Sequence, residues 1–219
     1  MRARLLSRSF LPFHVFFALL AVFCAVPVRA QTPAPWETPG LVGDPDAIRT
    51  AASAITADKN ASITVLLEDT KITFDAEKRA TVVSHLVYRV EDQRGAEGWD
   101  AISAEWQPWY EERPEIRARV IAADGHVSPL DAKTLTEGPA REQEEDTYVD
   151  DRVLKGPLPG VAVGAIVEQE IVQANHQPFF APGIDYSIRF GREVPVMHTR
   201  LTLVAPEGMP LHYKTRLLP

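Results

Sequence analysis

One short segment of the chain combines aromatic and acidic side chains, in the sequence EWQPWYEERP from Glu105 to Pro114. If this segment is an exposed loop, its rings could stack on a sugar or on the side chains of a peptide. The same rings could instead fill one end of a hydrophobic core, where aromatic side chains are commonly found. The predicted binding residues, with core packing as the alternative, are Trp106, Trp109 and Tyr110.

The carboxylates around these rings suggest a different chemistry. Two of Glu105, Glu111, Glu112 and Glu115 could perform glycoside hydrolysis if they faced each other across a cleft. Spacing alone does not place two carboxylates opposite each other. A carboxylate-based hydrolase is therefore one hypothesis, beside a binding module and a module without catalysis.

Two further groups of residues are of types that can bind metal ions. The acidic run REQEEDTYVDD, from Arg141 to Asp151, lacks the glycine-containing spacing of a calcium loop, so it predicts a solvated loop. The histidines after residue 30 form no His-x-x-x-His pair; they are His85, His126, His176, His198 and His212. From these two patterns we predict no metal ion, and we predict no other cofactor.

The sequence also lacks the G-x-S-x-G elbow that is typical of many serine nucleophiles.

The only cysteine, Cys24, lies in the apolar run Val15–Val26, which follows a leader containing three arginines. Twelve residues are too few to cross a bilayer as a helix, which takes about twenty. Because small residues at Val28 and Ala30 suit a signal peptidase, we predict a signal peptide over residues 1–30 and a mature chain starting at Gln31. An uncleaved signal is the one membrane attachment that this pattern allows. The mature chain would have no disulfide and no cysteine nucleophile.

The net charge of the chain excludes some classes of binding partner. The whole chain has a formal net charge of −7, and the predicted signal contains four arginines and no acid. The mature chain would therefore carry 19 basic and 30 acidic residues, a formal net charge of −11. Nucleic acid and anionic lipid both require a positive face, so neither is expected as a partner. We predict an exported protein, periplasmic or secreted.

The residues after the signal predict a linker followed by a short helix, over residues 31–61. Gln31 to Gly43 is rich in proline and glycine, which is typical of a linker or an extended arm. Asp44 can cap a helix, and proline suits the first turn, so we expect a helix from Pro45 to Ala57.

Residues 62–219 predict short strands. In ATVVSHLVYRVED the apolar Leu86, Tyr88 and Val90 share one face, while His85 and Arg89 point outward on the other. This strand and the one before it predict a hairpin with a turn at DAEK, residues 75–78. IRARV, GAIVEQEIV, YSIRFG, PVMHTRLTLV and LHYKTRL predict further strands, and ADGH predicts a second hairpin turn. We expect a mainly β fold, an antiparallel β-sandwich with a short N-terminal helix.

Three stretches together resemble a known domain family. They are RVLKGPLPGVAVGAIVEQEIV from Arg152, PFFAPG from Pro178 and PVMHTRLTLVAPEGMPL from Pro195. With the preceding hairpin, they resemble the uncharacterised β-sandwich domain that precedes the transglutaminase-like core in exported bacterial proteins. The resemblance covers residues 63–219 and implies a neighbouring papain-like core that uses a cysteine, a histidine and an aspartate. No residue of this chain is assigned those roles.

These observations predict a non-catalytic exported module that packs on, or presents substrate to, a transglutaminase-like core in the same full-length protein. The chain itself is predicted not to be an enzyme. Because LHYKTRLLP stops soon after a predicted strand begins, we expect the sandwich domain to be truncated at its C-terminus. The alternative is an independent periplasmic module that binds peptide or glycan through Trp106, Trp109 and Tyr110.

Overall fold

A computed structural model describes residues 33–140, 150–179 and 186–216. The predicted signal peptide and most of the predicted acidic loop lie outside the described residues. Within the described ranges the regular elements are, in chain order, α1 (Pro45–Ser53), β1 (Ile63–Phe74), β2 (Ala80–Val90), α2 (Gln93–Gly98), β3 (Ala101–Trp106), β4 (Glu115–Ile121), β5 (Val127–Pro129), β6 (Thr136–Pro139), β7 (Arg152–Pro157), β8 (Ile166–Ala174) and β9 (Thr199–Val204). Single-turn 3-10 helices occupy Pro35–Glu37, Pro39–Leu41 and Ala132–Thr134.

The strands form two sheets that face each other, which confirms the predicted mainly β sandwich. The larger sheet has the order β5-β4-β8-β2-β1-β9, and the smaller has the order β3-β7-β6. Leu86, Tyr88 and Val120 from the larger sheet pack with Trp106 and Leu154 from the smaller one in a shared buried cluster. Alternate residues along β2 and β3 therefore fill the space between the sheets, as period-two patterning requires.

Both predicted hairpins form. β1 and β2 pair antiparallel along their length, and the turn between them is held by the N–H of Arg79, which donates to Asp75 Oδ1 at 2.8 Å. β4 and β5 pair antiparallel around Gly125, whose φ of 93° is a value that glycine adopts without strain. The N–H of His126 donates to Asp124 Oδ1 at 2.9 Å. Aspartate followed by glycine thus makes the turn that the sequence predicts.

The predicted helix is also present, although it is shorter than expected. α1 begins at Pro45, with Asp44 as its cap, and the N–H of Asp46 donates to Asp44 Oδ1 at 3.2 Å. Its α-helical residues end at Ser53 rather than at Ala57. Ile48 and Ala52 are fully buried on the side that faces the sheet, so the helix is held by packing rather than by its length.

The segment Ala34–Ile55, called here the N-terminal segment, covers the outer face of the larger sheet. From it, Trp36, Ile48 and Ala52 join a second buried cluster. The sheet supplies the remaining buried members, which are Leu66, Leu67, Val87, Ile121 and Ile166. The sequence predicted that His85 faces outward on an exposed strand face. His85 does lie on the outer face, but it is only 4% exposed, so the expected exposure was wrong because the N-terminal segment covers it.

The later part of the chain departs from the prediction. β9 pairs with β1 in parallel, whereas the prediction was antiparallel throughout. The connection over residues 175–198 is long enough for the crossover that a parallel pair requires. Tyr186–Gly191 forms no strand; Ile188 packs on the cluster around Ile72, so the alternation there reflects packing without strand pairing.

The last predicted strand, LHYKTRL, is absent over its described residues 211–216. A turn precedes this segment, as predicted: the N–H of Met209 donates to the carbonyl of Pro206 at 3.1 Å. Beyond the turn, Leu211 is 43% exposed and Tyr213 is 82% exposed. Alternation of apolar residues here does not lead to burial on one face of a sheet, so the expected pattern has no structural counterpart.

Candidate functional site

The loop that follows β3 contains the aromatic residues singled out in the sequence. At its start the N–H groups of Tyr110 and Glu111 both donate to the carbonyl of Gln107, at 3.1 and 2.9 Å. The Glu111 side chain folds back, and its Oε2 accepts the N–H of Gln107 at 2.7 Å. The loop is therefore closed by its own backbone and by one carboxylate, which fixes the directions of the neighbouring rings.

Residues at and beyond the end of β8 anchor this loop from the other side. The N–H of His176 donates to the carbonyl of Tyr110 at 3.0 Å, and the N–H of Glu112 donates to the carbonyl of Ala174 at 2.8 Å. Gln173 Nε2 donates to the carbonyl of Glu105 at 2.6 Å. A surface held at several points is preorganised, which lowers the entropy lost when a ligand binds.

The structure separates the three predicted rings. Trp106, the last residue of β3, is 5% exposed and belongs to the core between the sheets. Trp109 is 46% exposed, and Tyr110 is partly buried. Core packing, the alternative weighed for these residues, thus describes Trp106, while Trp109 remains available at the surface.

Trp109, Tyr110 and Phe179 form what we call the aromatic cluster. The ring centroids of Trp109 and Tyr110 are 4.4 Å apart, and Phe179 lies 5.2 Å from the first and 5.1 Å from the second. Phe179 is 44% exposed. Sequence reasoning missed Phe179 as a site residue because it lies far along the chain, beyond β8. Its place beside two other aromatic residues becomes visible only in the folded chain.

A small cavity of about 140 Å³ lies beside the aromatic cluster. Its walls include Trp106 and Gln107 together with three carboxylate residues, which are Glu105, Glu111 and Asp151. Within the described part of the chain, no basic side chain forms an ion pair with any of these three. The cavity is therefore an acidic recess next to exposed rings.

The environment of this recess shifts the ionisation of its groups. Burial raises the pKa of Glu111 above its ordinary value, and the charge of Asp151 raises it further, against hydrogen bonds from the Gln107 N–H and from Tyr110. Burial, followed by the charge and hydrogen bond of Glu111, raises the pKa of Tyr110 to about 12. Burial and the charge of Glu111 raise the pKa of Tyr186 to about 12. Negative charge is thus disfavoured here, and both phenols keep their protons at neutral pH.

A second set of charged residues runs across the outer face of the larger sheet. Strand pairing places Arg200, Asp69, His85, Glu170 and Arg117 next to one another on five neighbouring strands, and we call them the charged row. Arg200 Nη2 donates to Asp69 Oδ2 at 2.8 Å, and Arg117 donates to Glu170 Oε1. Opposite charges on adjacent strands stabilise this arrangement.

The N-terminal segment contacts the charged row and the residues beside it. The N–H of Gly40 donates to Glu170 Oε2 at 3.0 Å, and Arg200 Nη1 donates to Glu37 Oε2 at 2.9 Å. Next to the row, Arg119 Nη2 donates to the carbonyl of Gly43 at 2.7 Å. The segment is therefore attached by polar contacts as well as by the apolar packing of Trp36 and α1.

A histidine and a carboxylate meet beneath this segment. His85 Nε2 lies 3.3 Å from Glu168 Oε1, and Arg119 Nε donates to Glu168 Oε2 at 2.6 Å. Such a pair can act in acid–base chemistry when substrate reaches it. The Glu168 side chain is fully buried and that of His85 is 5% exposed, so substrate has no access in this arrangement. Arg119 also donates to the carbonyl of Gly43, so Glu168 supports the attachment of the N-terminal segment through Arg119.

Two further properties bear on function. Across residues 33–140, 150–179 and 186–216, no group of three histidine, cysteine or acidic side chains comes together as a metal site. In the same ranges, no helix combines the length and the apolar character that crossing a bilayer takes.

Comparison with solved structures shows the fold. A structure described as a "putative protease from Parabacteroides distasonis ATCC 8503" superposes with a TM-score of 0.62 at 14% identity, over 68% of this chain and 30% of that chain. The present chain therefore corresponds to less than a third of that protein. The CBM3a-L domain with flanking linkers from scaffoldin CipA of the Clostridium thermocellum cellulosome has a TM-score of 0.29 at 10% identity, over 55% of this chain and 72% of that chain.

Sequence comparison gives the family. No curated protein matches the chain. A family model described as "Domain of Unknown Function with solved-structure structure (DUF3857)" matches residues 76–218, from the turn after β1 to beyond β9. Because this match spans well over half of the residues, the chain belongs to the DUF3857 family.

Proposed function

We propose that this chain is a non-catalytic β-sandwich module of an exported protein, and that it serves a cysteine-dependent, transglutaminase-like core in the same full-length protein. It packs on that core or presents substrate to it. The proposal is supported by the likeness to 30% of a longer chain whose description names a protease. It is also supported by the burial of Glu168 and His85, because a buried pair cannot exchange a proton with substrate.

The observation that carries the packing role is the exposure of apolar side chains on and next to β9, the edge strand of the larger sheet, and we call these residues the apolar edge. Met197 is 53% exposed, and Leu203 and Val204 on β9 are each 40% exposed. Leu211 and Tyr213, beyond the strand, are exposed as well. An edge strand with apolar side chains is a surface that native proteins normally cover.

The packing role is tested by comparing the chain alone with the product of the complete reading frame. We expect the chain alone to self-associate in light scattering, and we expect Leu203→Glu to reduce that association without unfolding the chain. Thr215→Glu, which adds the same single negative charge at an exposed position beyond the apolar edge, serves as the matched control. The complete product should remain monomeric and should show acyl-transfer or peptide-hydrolase activity. A monodisperse chain alone, or a stop codon directly after Pro219, would contradict the attached-core proposal.

Export is tested separately. Protein purified from a host with a working secretion pathway should begin at Gln31 in N-terminal sequencing, because signal peptidase is expected to cut after Ala30. A purified chain that retains Met1 would contradict export and would leave the packing role to be judged on its own experiment.

A second candidate function is favoured by the aromatic cluster. An exposed Trp109 beside Phe179, on a loop fixed by hydrogen bonds, suits an independent module that binds peptide or glycan. Binding of either ligand by the chain alone, lost on Trp109→Ala, would support this candidate. The two candidates use different surfaces, since the apolar edge lies at β9 and the aromatic cluster lies after β3 and β8.

A further inference from the structure

The aromatic cluster and the acidic recess form one continuous surface. The ring of Tyr110 contacts Trp109 and Phe179, while its hydroxyl is hydrogen-bonded to Glu111. Glu111 and Asp151 both line the recess, and the charge of Asp151 raises the pKa of Glu111. A ligand that covers the exposed indole therefore lies next to carboxylates that form no ion pair with any basic side chain in residues 33–140, 150–179 and 186–216.

The nearest arginines along the chain do not neutralise this recess. Arg113 Nε donates to Glu137 Oε2 at 3.1 Å, and Arg152 Nη2 donates to Glu137 Oε1 at 2.9 Å. Arg113 follows Glu111 and Arg152 follows Asp151 in the chain, and both arginines are paired with Glu137 on β6. Among the described residues, the carboxylates of the recess thus have no basic partner, and we take a positive group of a ligand as their counter-charge.

We propose that this end of the sandwich binds a lysine or arginine side chain of an extended basic peptide. The cation lies over the face of Trp109, and its N–H groups donate to the carboxylates of Glu111 and Asp151. A cation over an indole is attracted by the ring quadrupole, and the attraction grows when water is excluded. Charge-assisted hydrogen bonds to carboxylates are stronger than neutral ones, so the two contacts act on the same group.

The geometry favours a cationic peptide over a glycan. The three rings of the aromatic cluster are tilted against one another by 49° to 79°, so they do not form a flat platform on which a sugar ring could lie. A neutral sugar would also leave the like charges of the recess uncompensated, whereas a lysine or arginine would relieve their repulsion.

This inference deepens the second candidate function and rests on the aromatic cluster being a binding surface; it is independent of the attached core. The probe is an acetylated and amidated peptide of alternating glycine and lysine, titrated into the full chain by calorimetry. The matched probe replaces each lysine with norleucine, which keeps the alkyl stem and removes the charge. A soluble oligosaccharide is the third probe.

Four variants locate the binding. Trp109→Ala removes the exposed indole, and Glu111→Gln removes one of the three carboxylates that line the recess. Tyr213→Ala and Glu112→Gln are the matched controls, because Tyr213 is exposed far along the chain and Glu112 is an exposed neighbour that does not line the cavity. Near-ultraviolet circular dichroism verifies that each variant is folded.

We expect the lysine peptide to bind and the norleucine peptide not to bind. Trp109→Ala should weaken the lysine peptide by roughly threefold to thirtyfold, the range of a cation–π contact. Glu111→Gln should weaken it and reduce its dependence on salt, because a charged contact is screened by salt. The two control variants should bind as the unaltered chain does.

Three results would overturn the inference. Equal binding of the norleucine peptide would show that the surface recognises apolar side chains only. Oligosaccharide binding that depends on Trp109, with no lysine-peptide binding, would keep the binding-module function and reject the cationic ligand. Absence of binding by all three probes would reject both the inference and the second candidate function.

Discussion

Replacement of Arg119 tests whether the buried charges beneath the N-terminal segment are compensated only by one another. Arg119 donates from Nε to Glu168 Oε2 at 2.6 Å and from Nη2 to the carbonyl of Gly43 at 2.7 Å. Arg119→Met keeps the length of the side chain and removes both contacts. Glu168 is fully buried, so its charge would then face His85 alone. Breaking a buried ion pair by removing one partner costs about 3–5 kcal/mol, and we expect a loss of that size.

The assay is urea denaturation followed by both tryptophan fluorescence and circular dichroism, whose transitions should coincide. The control is Arg152→Met, which removes a 2.9 Å ion pair whose two side chains are 44% and 33% exposed. Exposed pairs contribute about 0–1 kcal/mol, so the control should lose little. The double replacement Arg119→Met with Glu168→Met should recover most of the loss, because it removes both buried charges together.

The reasoning would be refuted by an Arg119→Met variant that loses no more free energy of unfolding than Arg152→Met. It would equally be refuted by a double variant less stable than Arg119→Met alone. In either case, water or local rearrangement would have to compensate the charge of Glu168. The N-terminal segment would then not exclude water from that side chain.

Three other changes give separate tests. Leu86→Ala in the core between the sheets should lower the free energy of unfolding by about 2–5 kcal/mol in urea denaturation, and an effect below that range would show that the residue is not packed as described. Gly95→Ala should lower the thermal midpoint, because a Cβ at this position would lie 2.1 Å from the carbonyl oxygen of Ser62; an unchanged midpoint would contradict that close approach. The raised folded-state pKa of Glu111 means that its stabilising contribution is full below about pH 4 and is lost as pH rises through the raised value. Glu111→Gln should therefore be more stable than the unaltered chain at pH 7, with the difference disappearing below about pH 4, and a pH-independent difference would contradict the shift.

Alternation along the strands predicted the sandwich well because it reports which residues share a face. In β2 it placed Leu86 and Tyr88 together, and both lie between the sheets. It could not tell whether the polar face is exposed to water or covered by another segment, since both cases read as alternating apolar and polar residues. The pattern therefore predicted that His85 is exposed, although it is buried. Trp36 could have indicated that the N-terminal segment packs on the sheet, because a large aromatic residue is unusual in a stretch that otherwise resembles a linker.

The candidate site was predictable in part. Alternation in AISAEW, with Ile102 and Ala104 buried, extends to Trp106 and could have assigned that ring to the core. Trp109 lies beyond the end of β3, where the period no longer applies, and it is exposed. Phe179 could not be added from sequence, because its contact with Trp109 depends on β8 ending next to the loop after β3. The same holds for Asp151, which approaches Glu111 only through the pairing of β3 with β7.

The docking of the N-terminal segment also has a consequence for the order in which a growing chain can fold. The contact of Gly40 with Glu170 spans 130 residues, and that of Glu37 with Arg200 spans 163. Synthesis begins at the amino end, so the segment is available long before the strands that supply its counter-charges. Contacts of such long range form late and slow the overall reaction. Until β8 is in place, the cluster that buries Ile48 lacks Ile166, and an incomplete chain that exposes apolar surface is prone to aggregate.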